Sequence, residues 1–543
     1  MKFNLADVFE TVADSVPDRV VLSFEGEQTT YAEMDKLANQ VAHLLSANGI
    51  GASDNVALFL KNSVEHVTSL LGLIKIRAVP VNVNYRYTDP ELQYIFDNSD
   101  SRGIIVELPE HQRSVAELLP EISTVRTVFV IGTVTDELRE AASNLPDGRE
   151  VAVVSFDDYT GQSTERDFEP RNGEELYLLY TGGTTGYPKG VMWQHDDFFR
   201  KPISGGNPYG EARKDLDEIA SAVKDFPSIA FLLAAPLMHG AASYSLFTFL
   251  TLGGRLIIER DFNPAKIVKN IERDQTQIIL IVGDAMGMPL VDEMEKQKDE
   301  VDMSSLFSVT SGGAIWSQHV RDRMLAVKEG LVLRDNFGAS ESGNDGEITL
   351  DQNGNLKTAP TEKMMVVDER FNQITAPNEV GMIARIGNVP LGYYKDEEKS
   401  ARTFPTLPDG RRISVLGDMG YLEEDGSIVF LGRGSQCINT GGEKVYAEEV
   451  EATLHAHPAI ADALVVPVPD AKYGQRVAAV IKVADGHPEP TLEEVQEHAR
   501  TELARYKVPR TVVFVDEVRR TPAGKADYKW AKKAAEDGAS APV

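Results

Sequence analysis

The sequence predicts an α/β protein in two parts: a large N-terminal domain of β/α subdomains with mostly parallel sheets, and a small α+β C-terminal domain. Three observations predict it. The 543 residues exceed what one hydrophobic core normally supports. Short apolar runs alternate with helix-like segments, the pattern of parallel sheets. After Arg433 a distinct mixture of helices and strands begins, long enough for a small domain of its own.

The opening MKFNLADVFETVADSVPDRV spaces Leu5, Val8, Phe9, Val12 and Val16 at helical period, which predicts an amphipathic helix ending before Pro17. Its acidic residues stand where a secretory segment would be continuously apolar. VVLSFEGEQTTYAEMDKLANQVAHLLSANGI then reads as strand, tight turn, strand and helix, with Thr30 and Glu33 spaced as a capping box and an end near Asn48-Gly49. NVALFL, RGIIVE, VRTVFVI, RLIIE and QIILIVG follow as strands. The membrane-like stretch IAFLLAAPLMHGAASYSLFTFLTLGG, from Ile229, is interrupted by Pro236, His239, Gly240 and several hydroxyl residues; it reads as buried strand, loop and helix, with no transmembrane segment. From Gly387 the texture changes, and Asp425-Gly426 between two apolar runs predicts a hairpin. KVYAEEVEATLHAHP, ALVVPVPD, RVAAVIKV, TLEEVQEHARTELA and TVVFVDEV supply the C-terminal domain. The boundary is placed at Gly434/Ser435, giving domains 1–434 and 435–543, and the tail AAEDGASAPV is expected to be disordered.

A composition of 42% hydrophobic and 26% charged residues is that of a folded globular chain. The net charge of −29 repels polyanions, so nucleic acid is not an expected partner. A nucleotide stays admissible, because local N–H groups, a lysine and a divalent cation can offset the repulsion at one site. The single cysteine, Cys437, excludes an intrachain disulfide and a cysteine metal cluster and suits a reducing compartment.

The stretch YTGGTTGYPKG, Tyr180 to Gly190, follows the apolar run LYLL. A strand entering such a loop turns backbone N–H groups and hydroxyls inward as an anion nest, with Lys189 adding a point charge. It is not a P-loop of the NTPase kind: Lys189 follows Pro188 and precedes Gly190, so the helix-starting lysine and its metal-binding hydroxyl are missing. Local composition leaves an ordinary glycine-rich turn open. TSGGA (Thr310 to Ala314), NFGASES (Asn336 to Ser342), GDMG around Asp418, LGR ending at Arg433, TGGEKVY and RTPAGKADY follow in order. Singly, Glu341 reads equally as a solvated carboxylate, Phe337 as a core ring, Asp418 or Arg433 as half of a surface ion pair, and Lys525 as a solvent-facing lysine.

Together, over nearly the whole chain, these stretches resemble the motifs of the adenylate-forming superfamily, which contains acyl-CoA synthetases, peptide-synthetase adenylation domains and beetle luciferases. The pattern is most similar to actinobacterial acyl-CoA synthetases acting on fatty acids or sterol side chains. The resemblance implies an acid–thiol ligase that uses ATP, Mg2+ and coenzyme A. An apolar carboxylic acid attacks the α-phosphorus of ATP, giving acyl-AMP and pyrophosphate, and the CoA thiol then expels AMP. It implies that Thr181, Gly183, Thr184, Thr185 and Lys189 hold phosphate, and that Gly312, Gly313, Ala314, Asn336, Phe337, Gly338 and Ser340 form the adenine- and metal-binding stretches, with Glu341 offering an oxygen to Mg2+. Asp418 would accept from ribose hydroxyls, and Arg433 would reach ribose or phosphate. Lys525, with Thr184 and Glu341, would be catalytic, its charge bridging the two anionic reactants. The small domain is expected to swing between steps, exchanging the Lys525 face for one on which Gly441, Gly442 and Glu443 line the pantetheine path.

For the acyl group, His239 stands where the family places a gate, faced by Val282, Gly283, Asp284 and Ala285; a hydrogen-bonded core histidine stays open for His239. The polar insert GGNPYGEARKDLDEIASAVKD either covers the acyl pocket or is a solvated excursion. The chain departs from the family pattern at Gly182 (usually Ser), Ser435 (usually Asp or Lys), Asn439 (frequently Lys) and Tyr528 (usually Arg), and no role is carried to the last two. Two other readings stay in view. A fatty acyl-AMP ligase feeding a carrier protein would lack CoA-dependent AMP release, and a non-catalytic acyl- or nucleotide-binding regulator would release no acid-dependent pyrophosphate. A cytoplasmic location is expected, and a homodimer would be unsurprising.

Overall fold

The computed structural model describes residues 1–181, 188–208, 210–312, 316–350, 356–433, 437–440, 443–470, 474–503, 505–521 and 526–539. The apolar stripe at the N-terminus forms helix Leu5–Ser15, N-capped by the Asn4 side chain, with Val8, Phe9 and Val12 buried. Thr30 and Glu33 close the capping box of helix Tyr31–Ala47, so two orphan N–H groups at its start are satisfied reciprocally.

The strands form three sheets among the described residues. In the first, Val79–Asn82, Asn55–Phe59, Gly103–Val106, Thr127–Val130 and Ala152–Ser155 run parallel and in that order; Leu176–Thr181 joins them in parallel, and Lys189–Gln194 and Gly392–Tyr393 extend the edge antiparallel. In the second, Val332–Ala339, Ser308–Gly312, Ile278–Ile281, Ala230–Leu233, Arg255–Ile258 and Val20–Phe24 are parallel neighbours. From Gly343–Leu350 onward this sheet continues antiparallel, through Ile428–Arg433, Ile413–Leu422 and Val380–Ile386. The change of texture therefore begins well before Gly387, because Gly343 turns the chain straight back along Val332–Ala339 with no crossover helix. A shared core drawn from both sheets and the helices around them, including Phe9, Tyr31, Leu58, Tyr177, Phe198, Phe247 and Leu280, holds the two sheets together.

The third sheet carries Glu443–Tyr446, Cys437–Thr440, Gly474–Val483 and Ile460–Asp470, with Thr511–Phe514 beside Gly474–Val483. Its helix Ala447–His455 packs on strand Ile428–Arg433 of the second sheet, and the Glu448 side chain occupies the space beside Gly432 that a Cβ would fill. The expected domain boundary at Gly434/Ser435 lies outside the described residues. The tail differs from expectation: AAEDGA belongs to helix Tyr528–Ala539, because Ala531 and Ala535, one turn apart, pack on Leu464, Val466 and Val480. The insert after Gly205 also resolves. Asp215 caps helix Leu216–Asp225, whose Ile219 and Val223 are buried and which packs on the N-terminal helix; this favours an excursion over a cover for the acyl pocket. Among the described residues no helix is long and apolar enough to cross a membrane.

Candidate active site

Parallel strands place their carboxyl ends along one edge, and the loops leaving that edge form the crevice where open α/β sheets bind ligands. In the second sheet this edge carries, on adjacent strands, the loop to His239, the turn into helix Gly283–Gln297, Gly312, and the stretch Asn336 to Glu341. Thr181 ends Leu176–Thr181 of the first sheet and pairs in register with Lys189. Buried Asn82 ties the two edges together: its Oδ1 accepts from Tyr180 N at 2.6 Å, and its Nδ2 donates to Tyr180 O at 3.1 Å and Met238 O at 2.5 Å. Gly240 lets helix Gly240–Thr251 approach both sheets, since a Cβ there would stand 3.1 Å from Leu179 Cδ2 and 3.0 Å from Ser340 Oγ.

The turn bearing Glu341 is held from several sides. The Ser340 carbonyl accepts from Trp193 Nε1 at 2.9 Å and from the Tyr244 hydroxyl at 3.0 Å. Burial, and secondarily the Glu341 charge, push the Tyr244 phenol well above its ordinary range, so it stays a donor. Tyr393 donates to Glu341 Oε1 at 2.9 Å. Lys189 pairs with Asp396 and lies 5.7 Å from the Tyr393 ring centroid; the Lys189 hydrogen bond holds the Asp396 carboxyl below the usual carboxylate range. The point charge expected of Lys189 is therefore shared with Asp396.

Phe337 meets Phe430 edge-on at 4.6 Å between centroids. At Gly338 the strand bulges, and a side chain would overlap the Gly343 carbonyl. Asn336 donates to Thr310 Oγ1 at 2.7 Å. Asp418, 9% exposed, accepts from Arg385 Nη2 at 2.5 Å and sits opposite Arg433 across the hairpin. Burial opposes the Arg385 charge, and the Asp418 and Asp345 carboxylates more than offset it.

On the acyl side, half-buried His239 starts helix Gly240–Thr251, its N–H on Pro236 O at 3.1 Å and its carbonyl receiving Ser243 N at 3.0 Å. Val282 packs against the shared core, and Gly283 N donates to Ser311 Oγ at 2.9 Å. The Asp284 carboxylate accepts from Ser317 N at 2.8 Å, so it braces the start of helix Gln318–Val327, a role the sequence reading did not foresee. A Cβ on Gly312 would come within 3.4 Å of Leu280 Cδ1 and 3.6 Å of Ala241 Cβ, so the glycine keeps space open between these walls.

Gly183, Thr184, Thr185, Gly313, Ala314, Gly441, Gly442 and Lys525 lie outside the described residues, as do the side chains of Arg433 and Glu443. Sequence reasoning missed Asn82, Tyr393, Arg385, Asp345 and Asp396. Arg385 had a signal: in GMIARIG it is in phase with Ile383, on a core-facing side of a strand. Asn82 had none, because its partners are distant in sequence.

Among the described residues no group of three or more His, Cys, Asp or Glu could cage a metal ion. Mg2+ is commonly held by one or two carboxylates together with substrate phosphates, and the carboxylate of Glu341, in the turn after Val332–Ala339, has the chemistry to supply one such oxygen.

A two-sheet crevice at the strand ends, joined to a small α+β unit, defines the fold of the adenylate-forming enzymes. The chain belongs to the AMP-binding enzyme family: residues 9–394 match the family profile, and residues 449–525 match that of the AMP-binding enzyme C-terminal domain. It is 42% identical to a 3-oxocholest-4-en-26-oate–CoA ligase of Rhodococcus rhodochrous, over 98% of this chain and 96% of that protein. It is 41% identical to a medium/long-chain-fatty-acid–CoA/3-oxocholest-4-en-26-oate–CoA ligase of Mycobacterium tuberculosis, again over 98% and 96%. The fold superposes on ATP-bound MatB from Rhodopseudomonas palustris with a TM-score of 0.78 at 24% identity, covering 99% of each chain.

Proposed function

We propose that this chain is an AMP-forming acyl-CoA ligase for a medium- or long-chain fatty acid or a sterol side-chain carboxylate. Full-length identity above 40% to ligases named for those acids supports the substrate class. The observation that carries the reading is a linked set of contacts: Asn82 binds the backbone of Tyr180 and Met238, beside Thr181 and His239, while Arg385 binds Asp418 and stands 5.1 Å from the Phe337 ring centroid.

A carboxylate is a poor electrophile with a poor leaving group, so its oxygen attacks the ATP α-phosphorus, and the bond to the β-phosphate breaks with pyrophosphate leaving. The CoA sulfur, its proton lost to solvent, then attacks the acyl carbon, and AMP departs with the C–O bonding pair. Both reactants of the first step are anions, and their repulsion rises as water leaves the cleft. In this reading Lys525 lies between carboxylate and α-phosphate, while Thr181, Thr184 and Thr185 position the phosphates. Mg2+, when bound to Glu341, neutralises phosphate charge. Asp418 and Arg433 hold the ribose, Phe337 lies against adenine, and His239 with Val282 to Asp284 borders the acyl group. Residues 435–543 act as the mobile unit, bringing Lys525 for adenylation and Gly441, Gly442 and Glu443 for the thiol step. A cytoplasmic site and a homodimer belong to the same proposal, checked by fractionation and sedimentation.

The test is AMP release over fatty, aromatic and sterol acids, with and without CoA. Lys525→Ala is expected to cut acyl-AMP formation by about 100-fold or more, leaving thiolysis of supplied acyl-AMP largely intact. Equal loss in both steps would overturn the division of labour, and acid-dependent pyrophosphate release with no CoA-stimulated release of AMP would favour a carrier-protein acceptor.

A further inference from the structure

Arg385 is 1% exposed and lies on the strand Val380–Ile386, outside every stretch singled out by motif. Its planar guanidinium reaches three parts of the candidate site. Nη2 donates to Asp418 Oδ2 at 2.5 Å, Nε donates to Asp345 Oδ2 at 3.3 Å, and the group stands 5.1 Å from the Phe337 ring centroid. Asp345 carries the connection further. Its Oδ2 also accepts from Ser342 Oγ at 2.6 Å, and that hydroxyl accepts from Ala339 N at 3.1 Å. Ala339 and Ser342 are the two ends of the turn that contains Ser340 and Glu341, closed by Ser342 N on Ala339 O at 3.1 Å. Lys201 Nζ, 3.6 Å from Asp345, adds a second cation to this buried group.

We propose that Arg385 is a positioning residue that fixes, through Asp418 and Asp345, the ribose-binding carboxylate and the metal-binding turn as one rigid unit. The inference rests on the nucleotide reading of Asp418 and Glu341. A lysine at this place keeps the charge but presents a point in place of a fork, and so cannot hold two carboxylates at fixed angles. Removing the charge would take from both carboxylates the cation they share in the core.

The experiment is titration of the full-length protein with ATP and with 2′,3′-dideoxy-ATP, at varied Mg2+, for the parent chain, Arg385→Lys and Ser342→Ala, with thermal melts alongside. The parent is expected to prefer ATP by roughly ten-fold or more, since each lost hydrogen bond to a carboxylate is worth about that factor. Arg385→Lys is expected to compress this preference to about two-fold or less. Ser342→Ala should keep the ribose preference and raise the Mg2+ needed for half-saturation. A folded Arg385→Lys protein with the parental preference overturns the inference. If Arg385→Lys does not fold, Ser342→Ala decides: an unchanged Mg2+ requirement overturns it. A parent chain that binds ATP and the dideoxy compound equally overturns the nucleotide reading itself.

Discussion

The Tyr393 hydroxyl donates to Glu341 Oε1 at 2.9 Å, although Tyr393 lies in the first sheet and Glu341 in a turn between two strands of the second. Tyr393 belongs to the short strand paired with Lys189–Gln194, so the strand that follows the glycine-rich stretch and the proposed metal carboxylate are set against each other by one phenol. Tyr393→Phe removes the donor and leaves the ring in place. It should raise the Mg2+ concentration required for half-maximal pyrophosphate release by about 3- to 10-fold, with the melting midpoint moved by only a few degrees. An unchanged Mg2+ profile would show that Glu341 needs no such support.

Asn82 satisfies both backbone groups of Tyr180 and also reaches Met238. Asn82→Ala leaves one buried N–H and two buried carbonyls without this partner, at a cost of about 2–3 kcal/mol by urea unfolding. Asn82→Asp should be worse, because a carboxylate oxygen would face the Tyr180 and Met238 carbonyls. A loss below about 0.5 kcal/mol for both would contradict the bracing role.

At Gly338 the strand closes on the Gly343 carbonyl. Gly338→Ala has no room without moving the bulge that shapes the approach to Asn336 and Phe337. ATP affinity should fall by about ten-fold or more, while secondary structure is retained. Parental affinity in calorimetry would rule this out.

Glu451 is buried in the small C-terminal unit, where it accepts from Val465 N at 2.7 Å and from the Tyr528 hydroxyl at 3.0 Å. Burial above all, then the Glu448 charge, with Asp462 adding to it, pushes its carboxyl up to about 8. The folded chain therefore keeps a proton that the unfolded chain releases near 4.5. Stability falls as pH rises between those two values and levels off above about 8. Glu451→Gln removes this dependence. It should be more stable than the parent at pH 8 by on the order of 1 kcal/mol, the gap closing towards pH 5. Parallel melting curves for the two proteins across that range would show that Glu451 ionises normally.

Much of the fold was legible because its signals are local. Helix Tyr31–Ala47 was readable from Thr30 and Glu33 three residues apart, and the hairpin around Asp425-Gly426 from its own turn, where Gly426 takes a positive φ of 85°. The helix over AAEDGA was not, since Ala531 and Ala535 pack on a hairpin distant in sequence. The site divides likewise. Glu341, Asp418 and Phe337 announce themselves through the residues beside them, whereas Arg385 and Asn82 act on partners dozens of residues or more away.

By itself the sequence determined most of the segments that become helix or strand, through short-range periodicity, capping and turn chemistry that the neighbouring residues settle. The residues offered to a nucleotide were legible only through the resemblance of the ordered stretches to the adenylate-forming superfamily. Only the tertiary structure decided which polar groups meet: Tyr393 on Glu341, Asp396 on Lys189, Arg385 between Asp418 and Asp345. Strand order and register select those partners, and a charge held in a low-dielectric core, such as that of Arg385, needs the counter-charges that this order supplies.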